Sequence, residues 1–245
     1  MMTFKIAWRE LRNLFLSPLA WCVLAVVQFI LAWMFLASVE GFRGNPGGVA
    51  GVTDVVGAGL FSISSIVLLL VVPLLSMRLV AEERRSGSLA LLLSAPVRMT
   101  EIVLGKYLGL FGFLAIMVGI ITLMPLSLAL GTHLDYGKLA ADVLGLLLLV
   151  GAFAAAGLYM STLTRQPVVA AVSSFGLLLF LWIINWLSQG DARYSAVLHY
   201  LSLVDHYSTL LRGSFDSSDV IYYLLFILTF LVLSIRRLDG HRLQH

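Results

Sequence analysis

Charge is absent from six long stretches of this chain. Windows free of Asp, Glu, Lys and Arg run from 13 to 39, 55 to 77, 107 to 134, 143 to 164, 166 to 190 and 220 to 235. The first five each exceed the ~20 residues that carry a helix across a ~30 Å hydrocarbon core. The sixth holds sixteen residues. Sixteen residues of helix reach about 24 Å, so Arg236 is expected to snorkel outward or the bilayer to thin. The pattern predicts an all-α integral membrane protein, one domain over 1–245. Its six spans are expected at about 18–38, 57–76, 107–130, 143–163, 168–187 and 220–236.

Polar positions between the windows predict three further features. Over 3–16, Phe4, Ala7, Leu11, Leu14 and Phe15 recur at helical spacing, with Lys5, Arg9, Glu10 and Arg12 largely on other faces. Such a helix suits the membrane interface, and a plain positive flank is the alternative. Between spans two and three, 78–106 holds five of the sixteen Lys/Arg and three of the thirteen Asp/Glu, and a run so charged is expected to sit in water. Inside it Gly87 to Ser94 reads as a short helix stopped before Pro96, with Leu89, Leu92 and Leu93 on one face in need of a partner. Pro73, just ahead, is placed to kink span two. In 188–219 the apolar positions Val197, Leu198, Leu201, Leu203, Val204, Leu210 and Leu211 suggest short helices dipping into the outer leaflet.

Composition agrees: 60% of residues are hydrophobic and 12% charged, against roughly 25% charged in soluble domains. Mean hydropathy is +0.98. With the N-terminus inside, twelve Lys/Arg fall on the cytoplasmic side and four (Arg43, Lys138, Arg193, Arg212) on the other, so both termini are expected on the cytoplasmic side of the membrane. The first uncharged run is longer than the 7–15 residues of a signal peptide and no cleavage site follows, so span one is expected to stay attached. The lone Cys22 excludes an intrachain disulfide, and no basic patch with interleaved aromatics points to nucleic acid.

Small residues predict close helix contacts: Gly105 and Gly109 form a G-x-x-x-G pair, and Gly151, Ala152, Ala155 and Ala156 repeat the logic in span four. Packing within the chain is the first reading and a homodimer face the second. Catalytic and nucleotide motifs are missing: no P-loop, no H-E-x-x-H, no G-x-S-x-G. His199, Asp205 and His206 have no third ligand at metal-site spacing. The spans contain no Asp, Glu, Lys or Arg, and Asp142 at the edge of span four is expected to stay hydrated, which leaves an ion relay without support. Six spans with no chemistry of their own, joined by a hinge with an apolar face, read as the membrane half of a machine driven from the cytoplasm.

The hinge carries a resemblance. Pro73-x3-Met77-Arg78-x3-Glu82-Glu83-Arg84-x2-Gly87-Ser88-Leu89-x2-Leu92-Leu93-x2-Pro96-Val97, then Ile102-x2-Gly105-Lys106, resembles the type-2 ABC exporter permeases, and among them the gliding-motility-associated group. Trp8-Arg9-Glu10-Leu11 with Ser17-Pro18, and Asp205-His206-Tyr207 with Arg212-Gly213 and Asp219-Val220, extend the likeness to both ends. The family often has Gly-Thr-Leu-Glu where this chain has Gly87-Ser88-Leu89-Ala90, so any contact made by that carboxylate is lost here.

The resemblance implies a homo- or heterodimer of six-span subunits on two ABC ATPase subunits, which hold the ATP and Mg; no cofactor is expected in this chain. Residues 86–94 would form the coupling helix, with Arg78, Glu82, Glu83, Arg84, Arg85 and Gly87 at the ATPase interface, Leu89, Leu92 and Leu93 in its groove, and Pro96 behind them. Phe61, Phe175 and Asn185 would border the translocation path, and Asp205, His206, Arg212 and Asp219 would form an extracytoplasmic motif. Export of an amphiphile or envelope component is the leading activity. The alternatives are an ATP-driven mechanical or regulatory complex acting on a periplasmic partner and, behind both, an ion-coupled carrier.

Overall fold

The computed structural model describes residues 2–44, 51, 53–87, 98–188, 202–214 and 216–242, and among them there is no strand. The helices are α1 (Met2–Leu16), α2 (Pro18–Gly44), α3 (Ala58–Ser76), α4 (Ala81–Ser86), α5 (Met99–Ser127), α6 (Tyr136–Leu163), α7 (Pro167–Ser188), α8 (Leu203–Leu211) and α9 (Ser217–Arg242). A π-helical turn, Thr53–Gly57, leads into α3. Six segments are long and apolar enough to cross a membrane: α2, α3 continuing into α4, α5, α6, α7 and α9. The architecture is an all-α, six-span membrane protein.

Helix α6 is the axis of the bundle. Every residue from Leu149 to Leu158 is buried, and α6 touches α3, α5, α7, α8 and α9. Its sequence explains this, because Gly151, Ala152, Ala154, Ala155, Ala156 and Gly157 present so little side chain that neighbours can approach on every face. In a bilayer, where lipid tails are as apolar as leucine, such close packing replaces hydrophobic burial as the force holding helices together. Gly157 shows it most directly: a Cβ there would overlap the Ser76 side chain at the end of α3. By contrast α2 sits at the periphery, with Trp21, Phe29, Trp33 and Leu36 facing outward.

Three helices begin or end beyond their predicted limits, each for a local reason. Helix α5 starts at Met99 instead of 107, its first turn closed by the Glu101 carboxylate accepting from Arg98 N–H at 3.3 Å. Helix α6 starts at Tyr136 instead of 143, because Asp135 caps it by accepting from the N–H groups of Gly137 and Lys138 at 3.0 and 3.2 Å. Helix α9 spans 26 residues and so runs past both ends of the short sixth window. Asp219 in its first turn is paired, as described below, and Arg236 and Arg237 emerge exposed near its end.

The early start of α6 corrects the reading of Asp142. Expected at a hydrated edge, it lies two turns inside the helix, fully buried, and neither carboxylate oxygen has a hydrogen-bond partner. Lys138 and Tyr207 of α8 are near enough to act on it electrostatically. An unbonded buried polar group costs about 1–3 kcal/mol on mutational scales. Asp142→Leu, which keeps the branched heavy-atom skeleton with methyl groups in place of the oxygens, is therefore expected to raise the thermal midpoint in detergent by roughly 2–4 °C per kcal/mol gained. A lower midpoint would show that the carboxylate holds the structure together.

Candidate functional site

The basic end of the bundle brings together α1, the break between α3 and α4, and the start of α5. Helix α3 stops three residues after Pro73, and a turn over 77–80 redirects the chain into α4. Such a break leaves backbone groups without helical partners. One side chain from α6 answers it. The Ser161 hydroxyl accepts from the N–H groups of Val80 and Ala81 at 3.1 and 3.0 Å and donates to the Met77 carbonyl at 3.0 Å. A hydroxyl has one donor and two acceptor sites, and all three are in use. Helix α4 then ends at Gly87, whose φ of 77° lies in the left-handed region that a side chain disfavours.

Helix α1 is bound to α5 at the two glycines. A Cβ at Gly105 would stand 2.7 Å from Ile6 side-chain atoms, and one at Gly109 would stand 2.6 Å from Glu10 Cβ and 2.9 Å from the Ala7 carbonyl. The G-x-x-x-G pair is thus an intrachain seat, and its occupant is the N-terminal helix. Phe15 adds an edge-to-face contact with Phe113 at 5.2 Å. The outer side of α1 carries exposed Phe4 and Trp8.

This docking turns Glu10 inward, against the sequence reading that kept it off the packed face, and sets it beside Lys106. Lys106 is 1% exposed, so the expectation of a wholly hydrated 78–106 segment fails there. Its Nζ lies 3.1 Å from Glu10 Oε1 and 2.7 Å from Glu83 Oε1, and Arg9 reaches Glu10 at 3.5 Å. Two cations and two carboxylates balance, which is what allows an ammonium to lie so deep. The cluster ties α1, α4 and α5 through one nitrogen. Neither spacing nor hydropathy announced it, since residues 10, 83 and 106 lie far apart in sequence. The legible signal was only that Lys106 follows the Gly105 half of a packing motif.

The other predicted interface residues divide by side. Arg78 makes an exposed pair with Glu82 at 3.8 Å, a contact worth little in water. Glu82 and Arg85 are exposed and Arg84 is half-buried, whereas Glu83 turns toward Lys106. Between α1, α3 and α4 a cavity of about 230 Å³ is lined by Glu10, Asn13, Ser17, Arg78, Glu82 and Glu83, among others. Leu89, Leu92, Leu93 and Pro96 lie outside the described residues.

At the opposite end the two halves of the predicted extracytoplasmic motif meet. His206 Nδ1 is 2.6 Å from Asp219 Oδ1, and its ring stacks on Tyr222 with centroids 4.1 Å apart. Tyr207 donates to the Phe61 carbonyl and Tyr223 to the Leu203 carbonyl, both at 2.8 Å, so α8 is tied to α3 and α9. Asp205 N–H donates to Ser202 Oγ at the helix start, and Arg212 is exposed. Phe61 is fully buried and Phe175 partly so; Asn185 falls within α7.

No curated protein matches this chain. A family model described as ABC-2 family transporter protein does, over residues 4–241. That span takes in the seated N-terminal helix, the break pinned by Ser161, the Lys106 cluster and all six apolar helices, and the chain accordingly belongs to the ABC-2 family of transporter proteins as a membrane permease subunit.

Proposed function

We propose that this subunit exports an amphiphile or envelope component, energised by separate ATPase subunits that bind ATP and Mg and dock on the 78–106 segment. In this reading the basic end faces the cytoplasm of a bacterial inner membrane, both termini lie there, and a second six-span subunit, identical or not, completes the pore. The resemblance of the hinge to the gliding-motility-associated permeases belongs to this reading. The observation that carries the reading is the Lys106 cluster. A displacement of α4 by a motor would act at once on α1 through Glu10 and on α5 through Lys106, while Ser161 would relay it to the axial helix α6.

The experiment is purification of the tagged chain in mild detergent, with ATPase activity measured with and without Leu92→Asp. A co-eluting P-loop ATPase whose stimulated hydrolysis falls at least tenfold in the variant, with membrane insertion intact, is the expected result. Recovery of the chain alone even after crosslinking, or full activity in the variant, would sink the ATPase-coupled reading.

A second reading has α6 in its favour. The helix joins Ser161 at the hinge end to the α8 contacts at the far end, so ATP hydrolysis could reshape the 188–219 region for a periplasmic partner with nothing crossing. Reconstituted vesicles that hydrolyse ATP, move no labelled amphiphile and yet change far-end crosslinking would select it. The ion-coupled carrier stands third, and ATP-independent uptake by the purified chain would revive it.

A further inference from the structure

Beside the hinge, on the other side of α4 from the Glu10 cavity, a second cleft of about 500 Å³ is lined by Arg84, Arg85, Arg165, Gln166, Pro167 and Val168. Three guanidinium groups share it. Arg165 and Arg237 both act on Arg84 as like charges, so a fourth cation from the end of α9 adds to the field. Among the described residues no carboxylate pairs with Arg84, Arg85, Arg165 or Arg237. Cations gathered from α4, from the α6–α7 connection and from α9 repel one another, and an anion that enters relieves that repulsion. Helix α7 begins in the same cleft at Pro167, so its N-terminal partial positive charge has the same sign as the guanidinium groups.

The surface that continues from this cleft says what kind of anion fits. Val168 and Val172 lie on one face of α7 and are 70% and 66% exposed, with Val169 beside them at 47%. Helix α7 is long and apolar enough to cross a membrane, and this exposed apolar face offers acyl chains a surface directly beside the guanidinium groups. Guanidinium groups at the helix start and β-branched apolar side chains along the next turn match a molecule with an oxyanion head and an acyl tail. Planar guanidinium forks suit phosphate oxygens in particular.

We propose that Arg84, Arg85, Arg165 and Arg237 form a binding site for the phosphate of an anionic phospholipid, taken from the leaflet at the basic end and held with its acyl chains along Val168 and Val172. The bound lipid neutralises the cluster and joins α4 to α7, so the hinge is set against the membrane as well as against α1 and α5. The site needs neither an ATPase nor a cargo to form.

Native mass spectrometry of the purified full chain, titrated with dioleoyl phosphatidylglycerol or dioleoyl phosphatidylcholine, tests this. The wild type is expected to bind phosphatidylglycerol about tenfold more tightly than phosphatidylcholine. Arg165→Gln, at an exposed connection where folding is not at stake, should reduce that preference at least threefold, and Arg84→Gln/Arg165→Gln should abolish it. Val168→Asn/Val172→Asn should weaken phosphatidylglycerol without creating a preference for phosphatidylcholine. Inorganic phosphate should compete only at concentrations at least a hundredfold above the lipid. Equal retention of the two lipids by the wild type would overturn the proposal, as would a preference unchanged in Arg165→Gln. Competition by inorganic phosphate as effective as the lipid would assign the cleft to a soluble anion. Unchanged lipid binding with lost ATPase association in the double variant would assign it to the motor.

Discussion

Lys106→Met should destabilise the detergent-solubilised protein by about 3–5 kcal/mol, the range seen when one member of a buried ion pair is removed and its partners are left behind. Methionine keeps most of the apolar stem and the volume, so the loss reports the ammonium and not a cavity. Glu10 and Glu83 would then face each other without the ammonium between them, and Arg9, which reaches Glu10, is more than half exposed. The informative control adds Glu10→Gln and Glu83→Gln. With the uncompensated charges gone, the triple variant should recover most of the lost stability, since replacing a whole buried ionic group is far milder than breaking one. Thermal midpoints from fluorescence-detected size exclusion give both numbers. A loss below about 1 kcal/mol would mean that the adjoining 230 Å³ cavity hydrates the ammonium. If the cluster transmits motion, the triple variant should fold and yet show ATP hydrolysis uncoupled from transport.

Ser161→Ala is expected to be nearly as costly, although it removes a single oxygen. The N–H groups of Val80 and Ala81 lose their shared acceptor, and both residues are buried. At about 1–3 kcal/mol for each buried donor left unmade, the change should cost roughly 2–6 kcal/mol, concentrated at the α3–α4 break. Hydrogen exchange should show it locally, with faster exchange over 77–86 and little change in the middle of α6. Ser161→Thr retains the hydroxyl and should restore most of the protection if its extra methyl is accommodated. Equal exchange in wild type and Ser161→Ala would mean that the break is held by α3–α6 packing around Gly157 and Ser76, with the hydroxyl incidental.

Much of the bundle could be read from residue type alone, for a reason specific to membranes. Backbone groups in hydrocarbon must bond within their own segment, so a long uncharged run can only become a helix. The windows therefore mark α2, α3, α5, α6, α7 and α9 nearly one for one. The glycines at 105 and 109 likewise announced a close contact, although not that α1 would fill it. What the windows misjudged was every place where a charge is satisfied by tertiary contact instead of water. Lys106 opened a window and yet lies within the protein. Asp142 opened one and lies under α8, and Asp219 bounded the last span because its partner His206 arrives from another helix. A hydropathy pattern treats each charge as a boundary, because its reference state is water or lipid and contains no opposite charge.

The far-end motif teaches the same lesson from the other side. Asp205-His206-Tyr207 and Asp219 stood out in the sequence as polar residues before the last span, suited to a site. In the fold His206 grips Asp219, while Tyr207 and Tyr223 cap carbonyls of Phe61 and Leu203, which makes the group a clamp that seats α8. Buried hydroxyls and imidazoles need partners, and which partner each one finds depends on how the helices are arranged in space.

The amino-acid sequence by itself determined the class, the six crossings, the place of the hinge and the membership of a permease family, because these follow from local composition and from motifs a few residues long. Tertiary structure alone decided that Glu10, Glu83 and Lys106 become one cluster, that Ser161 closes the break after Pro73, and that Arg84, Arg85 and Arg165 line one cleft within the field of Arg237. Each of these rests on distances between residues remote in the chain. Such distances are set by helix packing around the small-residue axis of α6, where a single methyl group at Gly157 would separate the helices that now touch.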